Sequence, residues 1–135
     1  HVNIDNIDID FINNNPNRNI TFYVIKQNKK KVVYACCNPK PFQHNKAYFD
    51  TDVFIIGLVS DNGILNDGTK LEDAPFKDEL FTLDEIIRIK NYYRIKKVII
   101  THIDEMWGKS YGYYKELEKK LDNILFAYDG MEIVV

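Results

Sequence analysis

The chain has 135 residues, 45% of them hydrophobic and 13% aromatic, with a formal net charge of −2. That length makes one compact domain, 1–135, with apolar material for a sizeable core. The weak, dispersed charge argues against a nucleic-acid binder, and no apolar run approaches the ~20 residues of a membrane span.

The chain opens on His1 and not on Met, which points to a processed, excised or incomplete product; no signal-peptide pattern follows. Val2 and Ile4 alternate with polar residues, and Ile7, Ile9 and Phe11 then alternate on the opposite parity. A period of two predicts strand; the switch at Asp5-Asn6 predicts a bulge, a turn or two short strands. Asn13-Asn14-Asn15-Pro16-Asn17 reads as a solvated turn or mobile loop. The β-branched and aromatic run 20–25 and the run 31–36 are separated by the polar connection Gln27-Asn28-Lys29-Lys30, the pattern of a β-hairpin, and the run of three lysines, Lys29 to Lys31, reads as a solvated turn and not a binding patch.

Cys36 and Cys37 are adjacent. A bridge between neighbours is strained, so free thiols in a reducing, cytoplasmic compartment are expected. The sequon Asn19-Ile20-Thr21 would be idle there. Pro39 and Pro41 forbid both helix and ladder, so a rigid loop leaves the sheet. His44 reads as a surface histidine. The apolar run 52–57 predicts a buried strand, with Asp50 and Asp52 marking its start and not a ligand pair. The stretch 60–75 holds turns at Asp61-Asn62-Gly63 and Asn66-Asp67-Gly68. Its length and aliphatics, with Phe76, predict a lid that packs down, on which Glu72 and Asp73 are solvated charges.

Thr82-Leu83-Asp84-Glu85 is a capping box that opens a helix over 82–94, with Leu83, Ile86, Ile87 and Tyr93 on one face. The wholly apolar run 97–101 then ends in Thr101-His102, with Asp104 and Glu105 beyond. It predicts a strand buried on both faces, and functional groups gather just past the carboxyl ends of such strands. Strand 52–57, helix and strand 97–101 make a crossover unit. Ser110 is an N-cap for a second helix over 110–122, with Tyr114, Leu117 and Leu121 at helical spacing. A short strand over 124–127, a hairpin turn at Asp129-Gly130 and a last strand over 131–135 complete the chain.

Apolar strand, Thr101-His102, helix, short strand, then Ala127-Tyr128-Asp129-Gly130-Met131 and a last strand is an order similar to the closing segment of metallo-β-lactamase-fold hydrolases. Val32-Val33-Tyr34-Ala35-Cys36-Cys37-Asn38-Pro39-Lys40-Pro41-Phe42 resembles that family's segment in which a strand leads to a metal-bridging aspartate. The resemblance covers about 20–135. It implies an α/β fold that is half of an αββα sandwich, a mixed β-sheet with two main helices, corresponding to the C-terminal half. It also implies metal-dependent hydrolysis, with zinc or another divalent metal held at one edge by ligands from both halves.

Residue by residue, His102 matches the family's last histidine ligand. The bridging aspartate falls on Asn38, and a neutral amide offers one weak oxygen where a carboxylate bridges two cations. The histidine expected before the strand 20–25 would lie in or near 13–17, which holds none. The first-half motif His-x-His-x-Asp-His is absent, since the three histidines are His1, His44 and His102. A catalytic zinc asks for three protein ligands and an open position, and works by activating bound water.

One copy of this chain therefore cannot assemble the family's site. No catalytic residue is assigned, and the expected metal positions are His102 and, weakly, Asn38. Two classes of function remain: part of a metal-dependent hydrolase completed by a separate or missing N-terminal half, or a non-catalytic binding or assembly module with a degenerate metal site. A nucleotide-binding domain is disfavoured because no glycine-rich loop follows a strand. The expected partners are a second copy or a complementary half, not nucleic acid and not a membrane.

Overall fold

Two-residue turns in left-handed backbone organise the first half of the molecule. The structure, a computed structural model, describes residues 1–15, 17, 19–35, 39–57, 59–75, 77–103 and 107–135. Strands β1 (Val2–Ile4) and β2 (Ile7–Asn15) are joined by Asp5-Asn6, with φ of 48° and 66°. That turn twists as the flanking strands require, so the parity switch is a hairpin in which Ile4 faces Ile7. Asn28-Lys29, at 49° and 66°, does the same between β3 (Ile20–Gln27) and β4 (Lys30–Ala35).

The second half alternates strands with helices: β5 (Val53–Gly57), the short β6 (Val59–Ser60) and β7 (Phe81–Thr82), helix α1 (Leu83–Tyr93), β8 (Lys97–Thr101), helix α2 (Tyr111–Glu118) and β9 (Ile124–Phe126). One seven-stranded mixed sheet has the order β1-β2-β3-β4-β5-β8-β9, antiparallel as far as β4 and parallel from there on. β6 and β7 pair separately. The fold is thus mixed α/β with two helices, and β8 lies inside the sheet with Val98, Ile99 and Ile100 buried. No helix among the described residues is long and apolar enough to cross a membrane.

The capping box forms: the Glu85 amide donates to Thr82 Oγ1 at 3.3 Å, and the Thr82 amide donates to the Glu85 carboxylate at 2.7 Å. Arg94 ends α1 in left-handed backbone, and its guanidinium is held by both oxygens of Asp50 at 2.7 Å. Lys90 buries its stem on the core face and reaches Asp122 at 2.9 Å.

Four expectations need correction. The asparagines 13–15 are not a solvated loop; they end β2, and Asn14 is fully buried. Its amide nitrogen donates to the carbonyls of Pro39 and Pro41 at 3.0 and 3.1 Å, and its oxygen accepts from the Gln43 amide at 2.9 Å. Pro16, in the same stretch, lies outside the described residues. Lys31 is not part of a solvated turn: it pairs in β4, and its ammonium donates to the carbonyls of Ala47 and Phe49. Helix α2 stops at Glu118 and not at 122. The Glu118 carboxylate accepts from Lys115 at 2.8 Å and from the Phe126 amide at 2.7 Å, which ties the helix end to β9 and makes the chain turn back over 119–123.

The strand expected at 131–135 does not form. The turn does, with Met131 N–H donating to Tyr128 O at 3.0 Å. By then, however, Tyr128 has left the ladder to pack edge-on against Tyr111 of α2 at 5.6 Å. Residues 131–135 enter no ladder, and Val134 is 96% exposed. The long stretch 60–75 packs down as expected. Leu71 and Ala74 join Leu80 and Trp107 in a second small core, while Phe76 lies outside the described residues. Gly108, at φ 60°, adjoins this core; a Cβ there would collide with the side chain of Asn66.

The two faces of the sheet are covered unequally. One face carries the rows Val24–Val33–Phe54–Val98–Ile124 and Ala35–Ile56–Ile100–Phe126. Leu83, Ile86 and Tyr93 of α1 and Tyr114 of α2 pack on these rows in a single core. The opposite face carries Phe11–Tyr23–Tyr34–Ile55–Ile99–Leu125 in continuous register, beside Val2–Ile9–Ile25–Val32–Val53. Neither helix lies on that face. Val53 and Ile99 at its middle are buried, but Val2, Ile4, Phe11, Tyr23 and Tyr34 are 37–54% exposed.

The polarity of β1 and β2 sharpens the point. On the helix side, beyond the helices' reach, they present a hydrogen-bonded polar set: His1 to Asp10, Asn3 to Asp8 and Lys26 to Asp10. Val2, Ile4, Ile7, Ile9 and Phe11 face the bare side, while Ile12, opposite Phe22, packs on the helix-side core. Asn14 supplies the test of how this frame is fastened. Asn14→Ala leaves two carbonyls and an amide without partners and should lower unfolding free energy by about 2–4 kcal/mol. Asn14→Asp, which keeps only the acceptor, should also destabilise. Urea denaturation of both variants against the parent measures this, and an unchanged midpoint would refute the role.

Candidate functional site

The parallel register puts the candidate site at one end of the sheet. Ala35 of β4 faces Ile56 of β5, which faces Ile100 of β8, and Gly57 faces Thr101. The loops that follow β4, β5 and β8 therefore leave the sheet side by side, the position at which open α/β sheets build sites. His102 follows β8 directly. It is exposed and holds a left-handed φ of 52°. Such backbone is uncommon for a residue with a side chain, histidine being among the types enriched there. With Thr101, Ile103, Ala127, Tyr128 and Asp129 it lines a hollow of about 360 Å³.

Asn38, Asp104 and Glu105 lie outside the described residues, as do Cys36 and Cys37. What is described is the frame on either side of Asn38: Ala35, with Ile56 of β5 between it and Ile100, and Pro39 held by Asn14. The next residue, Lys40, is also fixed. Its ammonium donates to the Glu85 carboxylate at 2.9 Å and lies 5.0 Å over the Phe81 ring. The loop after Asn38 is thus tied both to the end of β2 and to the first turn of α1.

Glu85 is the hub of that tie. Burial alone would raise its pKa, but the Thr82 amide and the Lys40 ammonium outweigh burial and hold it below the ordinary glutamate range. On the other side of the strand ends, Asp61 follows β6 and accepts a hydrogen bond from Tyr113 OH of α2 at 2.5 Å. Its second oxygen is buried with no hydrogen-bond partner among the described residues. Tyr113 is raised in pKa by this bond and by burial. Neighbouring Tyr114 is pushed up to about 12, chiefly by burial and then by the charge of Asp61.

The remaining candidates fall elsewhere. Asp50 and Asp52 stand at the opposite end of the sheet, at the start of β5 as expected. Asp50 pairs with Arg94, and Asp52 pairs with Lys96 at 2.8 Å and accepts from the Lys31 amide. Glu72 is exposed beside Lys70, and Asp73 is exposed. His1 pairs with Asp10 at 2.7 Å on the β1–β2 hairpin. His44 is exposed, as expected, and its Nδ1 meets Tyr93 OH at 2.7 Å. No group of three or more His, Cys, Asp or Glu able to hold a metal occurs among the described residues. Those residues alone do not fit a catalytic zinc, which needs three protein ligands.

The two tethers of this end, Lys40–Glu85 and Asp61–Tyr113, do not follow from residue spacing. Lys40 carried no local signal, because its partner is 45 residues away. Asp61 did carry one: like His102, it is the first ionisable residue after an apolar run. Neither a protein-family model nor a curated protein matches this chain.

Acid titration tests the ion pairs. Asp50, Asp52 and Asp122 are held below the ordinary carboxylate range first by hydrogen bonds from Arg94, Lys96 and Lys90. Glu85 is held there by Thr82 and Lys40. Folded values below unfolded ones mean that this stability is fully present above about pH 4 and lost as pH falls through the folded values. The contribution of these groups to the urea midpoint should be flat between about pH 7 and 5 and should collapse below about pH 4. Lys40→Met should shrink that acid dependence; an unaltered profile would show that Lys40 does not hold Glu85.

Proposed function

We propose that this chain is the C-terminal part of a metal-dependent hydrolase of the metallo-β-lactamase superfamily, half of an αββα sandwich that needs a complementary N-terminal half for activity. The observation that carries this is the bare apolar face. A row from Phe11 to Leu125 crosses six strands with no helix over it, and buried parallel strands call for cover on both faces. A second sheet packed face to face is the cover such a surface fits. The place of His102 past an interior strand supports its role as one ligand of the completed site. Zinc or another divalent metal would be held there together with residues of the other half and would supply an activated water.

Asn38, where the family has its bridging carboxylate, favours a second reading: a non-catalytic binding or assembly module that keeps the architecture with a degenerate site. Both readings share the covered face and differ in the metal.

Sedimentation tests the face. The isolated chain should self-associate or bind a complementary half, and Phe11→Lys with Tyr23→Lys should abolish association while leaving far-UV dichroism intact. A monodisperse monomer that unfolds cooperatively would overturn it. Zinc calorimetry tests the metal. The chain alone should bind weakly and hydrolyse nothing by a metal-hydroxide route, and Asn38→Asp should raise affinity only with a half bearing His-x-His-x-Asp-His present. Tight stoichiometric binding to the isolated chain would show that its own residues suffice. No gain with the other half would favour the non-catalytic module.

A further inference from the structure

We propose that the hollow between α1 and the residues following Pro41 is a binding site for a small aromatic carboxylate. It has a volume of about 350 Å³ and is lined by Phe42, His44, Phe81, Arg88, Tyr92 and Tyr93, among others. That volume lies in the range of small-molecule sites, which pair apolar walls with a few convergent polar groups. The walls are rings set edge to face: Phe42 against Phe81 at 6.2 Å and 77°, Phe42 against Tyr93 at 6.2 Å and 64°, His44 against Tyr92 at 5.6 Å and 68°. Rings so arranged present both edges and faces, and a further planar ring inserts among them by the same geometry.

Charge selects the second feature of the ligand. The carboxylate in the lining, Glu85, is already taken by the Thr82 amide and by Lys40. Arg88 is exposed on α1 and has no ion pair or hydrogen bond with any described residue. An aromatic hollow with one uncompensated guanidinium favours an anion, and the planar fork of arginine matches a carboxylate with two parallel bonds. His44 is oriented by its bond to Tyr93 OH, which leaves Nε2 as the imidazole's remaining polar atom for a guest.

This site is built from residues of this chain, on the helix side of the sheet, and does not depend on the hydrolase reading. Saturation-transfer NMR of phenylacetate over the full chain reads binding whatever the size of the assembly. Saturable binding is expected, with phenylacetamide and cyclohexylacetate each weaker by about tenfold, the effect of one charged hydrogen-bonding pair or of lost ring contacts. Arg88→Gln should bring phenylacetate down to the affinity of the amide, and Tyr92→Ala should weaken acid and amide alike. Both side chains are exposed, and dichroism checks that the variants fold. Equal binding of acid and amide by the parent chain, unaltered binding by Arg88→Gln, or no saturable signal would overturn the proposal. The parent-chain comparison decides by itself if a variant does not fold.

Discussion

The fold depends on a sheet that is apolar on both faces and receives helices on one. Strands β4, β5, β8 and β9 run parallel, and each alternates between a side chain under α1 or α2 and one on the other side: Phe54 with Ile55, Val98 with Ile99, Ile124 with Leu125. The helix side closes into a core that includes Phe22, Tyr48, Ile86 and Tyr93. The other side has aliphatic and aromatic residues of the same kind and neither α1 nor α2 over them: Val53 and Ile99 are buried there, while Val2, Ile4, Phe11, Tyr23 and Tyr34 stay 37–54% exposed. Burying one such side chain fully is worth roughly 1.5–3 kcal/mol, while a whole domain is stable by only about 5–15 kcal/mol. A handful of outward residues therefore weighs as much as the entire net stability, and what lies on that face governs the state of the molecule.

The strand ends around His102 are fastened by a different kind of force. Asn14 grips the backbone of the loop at three points, Lys40 bridges to Glu85, Asp61 to Tyr113, and Glu118 to the backbone of β9. These are polar contacts between distant parts of the chain, several of them partly or wholly out of water. Low local dielectric strengthens each and makes its loss expensive. The result is a rim of loops carried on rigid elements, the arrangement that holds functional groups in place.

What could be read from the residues alone divides along the same line. The interior strands were legible because an apolar run such as Val98-Ile99-Ile100 bounded by polar residues has few other uses, and α1 was legible because its capping box is a local device. The place of His102 followed from the run before it. Asn14 was not legible: local rules assign asparagine to turns because it bonds nearby backbone, whereas here it bonds backbone 25–29 residues away. Lys31 misled for the same reason. The strand at 131–135 does not form: Tyr128, before the turn, packs against Tyr111 of α2, and the β-propensity of Ile133, Val134 and Val135 does not by itself make a ladder. For the candidate site, the position of the loops was legible and their tethers were not.

The nature of those tethers separates architecture from chemistry. Small metal-dependent domains unfold when the ion is removed, because the ligand bonds are their folding energy. Here Asn14, Lys40, Glu85, Asp61 and Tyr113 fix the strand-end loops through contacts with one another and with backbone. Those contacts are hydrogen bonds and ion pairs between parts of the chain, not ligand bonds to an ion.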